Sequence, residues 1–179
     1  MIKRGSDIIG LPVICLNQGC KVTEVKDILY CNNALKVIGL LVEEGSYFHH
    51  VQIIAFESIK NIGEDAITIY DSNSIQNFEA TNQDYYALQS REKILGTEVI
   101  TDAGNDVGIV QDIMIEASTG KILGLSLANG LFDDLVAGRP ILPLQGDIDL
   151  SQNTIVITQS LNHLIIHNTG GLKKLLSLE

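Results

Sequence analysis

The chain has 179 residues, 45% of them hydrophobic and 19% charged, which supplies enough apolar material for packed cores and excludes a disordered chain. The formal net charge of −10 argues against direct nucleic-acid binding, because no local run of basic residues opposes that field. No apolar run approaches the roughly 20 residues of a membrane-spanning helix, so we expect no membrane insertion.

The N-terminal segment resembles a signal peptide only in its first charges. Lys3 and Arg4 precede apolar residues, but Asp7 and Pro12 interrupt a run that is already too short. We therefore expect the mature protein to begin here. An odd set of three cysteines offers no disulfide framework, which predicts a reducing, cytoplasmic location. These cysteines are Cys15, Cys20 and Cys31.

Short β-rich runs separated by turn residues follow along the chain. They cover residues 12–16, 22–30, 36–42, 51–56 and 66–70. Ile38, Leu40 and Val42 recur with a period of two, which predicts a strand with one buried face. Gly39 lies within this strand, where glycine costs stability unless the strand bends strongly or another backbone approaches closely.

The same pattern occurs a second time, about 86 residues further on. Residues 10–14 align with 96–100, 25–28 with 110–113, and 36–40 with 121–125. Gly39 and Gly124 fall at equal places. We name residues 10–70 the first repeat and residues 96–158 the second repeat. In both, the apolar alternation slips by one in the second strand, which predicts a β-bulge there.

Five or six short, bent strands in fewer than 70 residues are typical of a small barrel, whose closure removes exposed edges. We therefore predict an all-β protein of two tandem, strongly bent β-barrels. The expected domains are residues 1–71 and 92–160, joined by a polar linker at 72–91. Residues 161–179 form a C-terminal tail, in which leucine spacing predicts short helical segments.

The order of motifs resembles the PRC-barrel domain. It runs Gly-Leu-Pro-Val, Val-Lys-Asp-Ile, Val-Ile-Gly-Leu-Leu-Val, Ile-Ala-Phe and a closing Ile-Thr-Ile. The resemblance implies a small, strongly bent β-barrel in each repeat. The family includes the cytoplasmic domain of the photosynthetic reaction-centre H subunit and the C-terminal domain of a ribosome maturation factor. The matching positions are hydrophobic residues and glycines, so they imply a fold and no catalytic residue.

Sulfur and imidazole ligands for a metal occur mainly in the first repeat. His49 and His50 accompany the three cysteines, but neighbouring residues on a strand point to opposite faces and no Cys-x-x-Cys is present. His163 and His167 have the spacing of a helical metal pair without the surrounding Glu-x-x-His pattern. We predict no metal site and no cofactor.

Several carboxylates are candidates for catalytic or calcium-binding groups. Asp27 and Asp112 occupy equal places in the two repeats, and we expect each to accept backbone N–H bonds at the bulge. Two adjacent acidic pairs lack the regularly spaced oxygens of a calcium loop. These pairs are Glu43 with Glu44 and Asp133 with Asp134. We predict solvated charge at both pairs and no catalytic residue in the chain.

The absence of a recognisable catalytic motif favours a non-enzymatic binding or adaptor protein that acts through protein–protein contacts, with an unknown partner or as a homodimer. One alternative is an accessory factor in RNA or ribosome processing. A second alternative is a metal- or small-ligand-binding protein. The second repeat has extra residues that include Leu131, Phe132, Leu135 and Val136. This apolar loop either contacts a partner or packs inward, and the sequence leaves both possibilities open.

Overall fold

The computed structural model describes residues 1–43, 51–78, 85–88, 94–128, 139–145, 148, 150 and 153–166. These residues are mostly β-structure, which confirms the predicted class at that level. The strands are β1 (Ile2–Arg4), β2 (Pro12–Cys15), β3 (Cys20–Glu24), β4 (Asp27–Cys31), β5 (Lys36–Glu43), β6 (Gln52–Ala55), β7 (Ile59–Ile62), β8 (Ile67–Ile69), β9 (Ile75–Asn77), β10 (Tyr85–Ala87), β11 (Glu98–Thr101), β12 (Asp106–Glu116), β13 (Ile122–Ala128), β14 (Ile141–Pro143) and β15 (Thr154–Ile157). The helical pieces are α1 (Gly5–Ile8), α2 (Gln159–Asn162) and 3₁₀ turns at Phe56–Ser58 and Ser72–Ser74.

The described strands form three open sheets, so the expected closure into barrels is wrong for this part of the chain. One sheet has the order β14-β13-β12-β11-β15, with β1 added beside β12. The other two have the orders β10-β4-β5-β6-β9 and β3-β2-β8-β7. The second strand differs between the two repeats. It breaks at Val25 and Lys26 in the first repeat, which separates β3 and β4 into different sheets, whereas β12 runs unbroken through one sheet.

The predicted bulge is present in the second strand of both repeats. The register between β2 and β3 passes over Val22, and the register between β11 and β12 passes over Val107. The register between β12 and β13 shifts between Val110 and Asp112, and again between Met114 and Ile115. In the first repeat the second strand is in addition interrupted at Val25 and Lys26, between β3 and β4. Both repeats then place a parallel strand beside their first one, because β2 pairs with β8 and β11 pairs with β15.

The expectation that the long central strands bury only one face is also wrong. In β5 the run from Gly39 to Val42 is buried on both faces, while Ile38 is only half-buried. In β13 every residue is buried except the last, Ala128. These strands lie at the centre of the protein, and a strand covered on both sides has a continuous apolar sequence instead of an alternating one.

The strand before each repeat pairs with the opposite repeat. β1 precedes the first repeat and lies antiparallel to β12 of the second, with Arg4 opposite Met114. β10 precedes the second repeat and lies antiparallel to β4 of the first, with Ala87 opposite Leu29. The domain boundaries inferred from sequence had placed β1 with the first unit and β10 in the linker. Each repeat thus receives a strand from outside its own sequence.

The two repeats also meet at one pair of equivalent residues, Lys36 and Lys121, which form an antiparallel bridge. The amide of Val37 donates to the carbonyl of Gly120 at 2.8 Å, and the amide of Ile122 donates to the carbonyl of Leu35 at 2.8 Å. Exchanging the repeats converts one bond into the other. The seam between the repeats therefore has the geometry of a local two-fold axis.

A single apolar cluster extends through both repeats and includes fully buried side chains such as Ile28, Ile54, Ile113 and Ile155. A much smaller cluster of Met114, Leu123 and Ile141 lies beside Ile2. Among the described residues, every helix is too short to cross a lipid bilayer.

Candidate functional site

Asp27 and Asp112 are both buried, at 6% and 4% exposure. Each accepts the amide of the following residue: Ile28 N lies 2.7 Å from Asp27 Oδ1, and Ile113 N lies 2.8 Å from Asp112 Oδ1. The prediction that these carboxylates perform one backbone-binding task twice is confirmed.

Asp112 has a second task, which the sequence did not predict. The amide of Ser6 donates to Asp112 Oδ1 at 3.2 Å, and the Ser6 hydroxyl donates to the same carboxylate. A Cβ atom on Gly5 would lie 3.0 Å from Asp112 Oδ1 and 2.6 Å from Leu88 Cδ2. Asp112 therefore fixes the start of α1 on the sheet of the second repeat, where glycine is needed for the close approach.

The sulfur and imidazole candidates do not form a metal centre in the described part of the chain. Cys15 is buried, Cys20 is exposed and Cys31 is partly buried. His163 is exposed, while His49, His50 and His167 lie outside the described residues. Within those residues, no three side chains of the metal-binding types come together.

The acidic pairs can be followed only in part. Glu43 is partly buried at the end of β5, and Glu44 lies outside the described residues. Asp133, Asp134 and the whole apolar loop predicted in the second repeat lie outside them as well.

A groove of about 620 Å³ opens where the two repeats meet, and we call it the seam groove. Lys36 and Lys60 border it, Phe56 and Ile59 supply its apolar surface, and residues 117–119 of the second repeat close one side. The groove brings together two cations that are far apart in sequence, which is why no basic cluster was predicted. Glu57 also borders it, so the net local charge is small.

A second groove, of about 380 Å³, lies beside β15 and α2, and we call it the β15 groove. Its described lining carries no ionisable side chain. Val156 is 57% exposed and Leu164 is 40% exposed on its border. The lining residues are Gln145, Ile148, Val156, Ile157, Thr158, Ser160, Leu161 and Leu164.

Charged side chains occupy the outer strand of the smallest sheet. Lys26 and Lys21 both bind the carboxylate of Glu24, the latter at 3.1 Å. The hydrogen bond from Lys26, with that from Lys21, lowers the pKa of Glu24 below its ordinary value. These groups are exposed to solvent, so they protect a strand edge against pairing with other chains rather than forming a site.

No curated protein matches this chain. A family model does match part of it, over residues 90–162, which include β11 to β15 and α2. The matched family is the PRC-barrel domain.

Proposed function

We propose that this protein is a non-catalytic binding or adaptor protein, composed of two PRC-barrel-like units, that acts through protein–protein contacts. The second repeat lies within the family match. We propose that the first repeat is another copy of that unit, because equivalent positions of the two repeats have the same local geometry.

Equivalent positions of the repeats have equal local geometry. Gly10 and Gly96 both have a φ of 88°, a left-handed conformation that favours glycine. Each donates its amide at 2.8 Å to the carbonyl of a valine fifteen or fourteen residues later, Val25 or Val110. The two valine amides in turn donate at 2.9 Å to the residue after each glycine. These correspondences support a common fold for the repeats.

The observation that carries the binding proposal is the exposed apolar border of the β15 groove. Val156 and Leu164 expose large hydrocarbon side chains, and the rest of the described lining is apolar or carries a neutral hydroxyl or amide group. Exposed apolar patches bordered by polar residues on soluble proteins mark contact sites. Because the described lining carries no charge that would select an ion, we infer that the fitting occupant is a neutral, apolar segment of a protein partner.

The experiment compares wild-type protein with a Val156→Ser/Leu164→Ser double variant by cross-linking and mass spectrometry in native lysate. We expect the variant to lose one specific cross-linked partner at least about tenfold, the equivalent of roughly 1.4 kcal/mol. Its melting temperature should stay unchanged. Tyr70→Ser is the matched control, because Tyr70 is 66% exposed and lies away from the groove on the first repeat.

Three results would contradict this proposal. Equal capture by the variant and wild type would remove the groove as the contact site. A fall of several degrees in the melting temperature would identify Val156 or Leu164 as packing residues. Co-sedimentation with ribosomal subunits, or stoichiometric metal in the untreated protein, would favour one of the alternative functions. Sedimentation of the purified proteins shows separately whether the lost partner is a second copy of this chain.

We also expect no measurable non-specific nucleic-acid binding at physiological salt. Such binding depends on neutralising phosphates, and the net charge of −10 opposes it. A gel shift with random-sequence RNA and duplex DNA tests this. Micromolar binding that weakens steeply with added salt would contradict it, and loss of that binding in Lys36→Ala/Lys60→Ala would assign it to the seam groove.

A further inference from the structure

The hairpin of β2 and β3 places two of the three cysteines opposite each other. Cys15 is the antiparallel partner of Cys20, and the amide of Gly19 donates to the carbonyl of Cys15 at 2.8 Å. Gly19 has a φ of 64°, which allows the tight turn between them. Directly opposite residues in antiparallel strands have Cα atoms about 4.5 to 5.5 Å apart, within the range that disulfides span.

The two thiols differ in their access to solvent. Cys20 is exposed, whereas Cys15 is fully buried and its Sγ lies 3.7 Å from the carbonyl oxygen of Tyr70. Cys20 Sγ lies 3.8 Å from Gln18 Oε1, so the two sulfurs have separate partners, and it is the strand register that places the two cysteines opposite each other. In a peroxide-sensitive pair, an exposed cysteine is oxidised and a second cysteine within reach resolves the product. The second repeat has no such pair, since Thr101 and Asp106 stand at the approximate counterparts.

We propose that Cys15 and Cys20 form a reversible disulfide in response to a peroxide. The Cys20 thiolate attacks the peroxide O–O bond and becomes a sulfenic acid, with release of water or an alcohol. The Cys15 sulfur then attacks the Cys20 sulfur, an S–S bond forms, and the sulfenic oxygen leaves as water. The two thiols together lose two electrons and two protons, which the peroxide accepts.

The cross-link would fasten β3, which is the outer strand of the β3-β2-β8-β7 sheet, to its neighbour. Local opening of the hairpin would expose Cys15 so that its sulfur can attack the oxidised Cys20. The disulfide that results would then prevent further opening of the hairpin. A cellular dithiol reductant reverses the bond, as for the transient disulfides of reducing compartments.

The folded full-length protein is treated with a slight molar excess of hydrogen peroxide, then alkylated in denaturant so that buried thiols also react, and digested with trypsin without reduction. Cleavage after Arg4 and Lys21 places both cysteines in one peptide, residues 5–21, whereas Cys31 falls in residues 27–36. We expect most of the first peptide to lack both alkyl groups and two hydrogen atoms. Reduction before alkylation should restore both alkyl groups, and Cys31 should be alkylated throughout.

Cys20→Ser should abolish this product, while Cys31→Ser should leave it unchanged. The test does not depend on a Cys15 variant, whose buried position could impair folding. Hydrogen exchange of the β2 and β3 amides should slow on oxidation of the wild type and not of Cys20→Ser. Recovery of Cys15 in alkylated form, with Cys20 present as sulfinic acid or as a disulfide between two chains, would overturn the proposal.

Discussion

Gly39→Val and Gly124→Val are each expected to destabilise the protein by about 1 to 3 kcal/mol in the free energy of unfolding. A Cβ atom on Gly39 would lie 2.8 Å from the carbonyl oxygen of Ile54, and one on Gly124 would lie 2.8 Å from that of Leu142. In both cases the obstacle is backbone of the adjacent strand, which no side-chain rotation can move. The strands must separate or bend for any larger residue to fit.

Denaturant melts of the two variants measure this effect. Ile109→Val is the matched control, because Ile109 lies on β12 with 41% of its surface exposed. Exposed strand substitutions of this kind usually change stability by less than about 0.5 kcal/mol. Neutral or stabilising results at both glycines would mean that the neighbouring strands adjust freely, and that the close backbone approach at these sites carries no constraint.

The tight packing at these two glycines is a feature that the sequence could predict. Their mid-strand positions and their equal places in the repeats indicated a close backbone approach, and the structure has the same 2.8 Å distance at both. The β-rich runs predicted in the first repeat also coincide with strands to within a few residues. Strand content depends on local patterns of apolar and turn residues, which a single sequence contains.

The pairing of strands depends on contacts between distant parts of the chain, which a local sequence pattern does not predict. β1 and β10 have three residues each, and their partners β12 and β4 belong to the other repeat. Such short segments have no usable period, so their position in a sheet is decided by packing. The closed barrels were predicted because each repeat was treated as pairing only with itself.

The candidate sites also differ in whether a local sequence pattern predicts them. Lys36 and Lys60 come together in the seam groove only through folding, so their proximity had no sequence signal. The pairing of Cys15 with Cys20 did have one, because a glycine turn between two β-rich runs predicts a hairpin. The cysteines were instead considered as metal ligands, for which their spacing was unfavourable.

The second large effect on stability is expected at Asp112, which binds the segment before the first repeat to the second repeat. Asp112→Ala is expected to lower the free energy of unfolding by about 1 to 3 kcal/mol, since three donors lose their acceptor and one of them is the amide of a buried residue. Those donors are the amides of Ser6 and Ile113 and the Ser6 hydroxyl. Ser6 is exposed, so water can replace the carboxylate at its two donors, and most of the loss comes from the amide of Ile113, which is buried.

Because Asp112 joins α1 to the second repeat, its loss should reach beyond its own strand. We expect faster hydrogen exchange in α1 and β1 as well as in β12, with unfolding still a single transition because one apolar cluster spans both repeats. Ser6→Ala should give a smaller loss of about 1 kcal/mol, since the Ser6 amide remains bonded. Asp102→Ala, at an exposed turn residue of the same repeat, is the control. Two separate unfolding transitions in the wild type would contradict this prediction, as would faster hydrogen exchange confined to β12 in Asp112→Ala. Either result would show that the pairing of β1 with β12 does not couple the repeats.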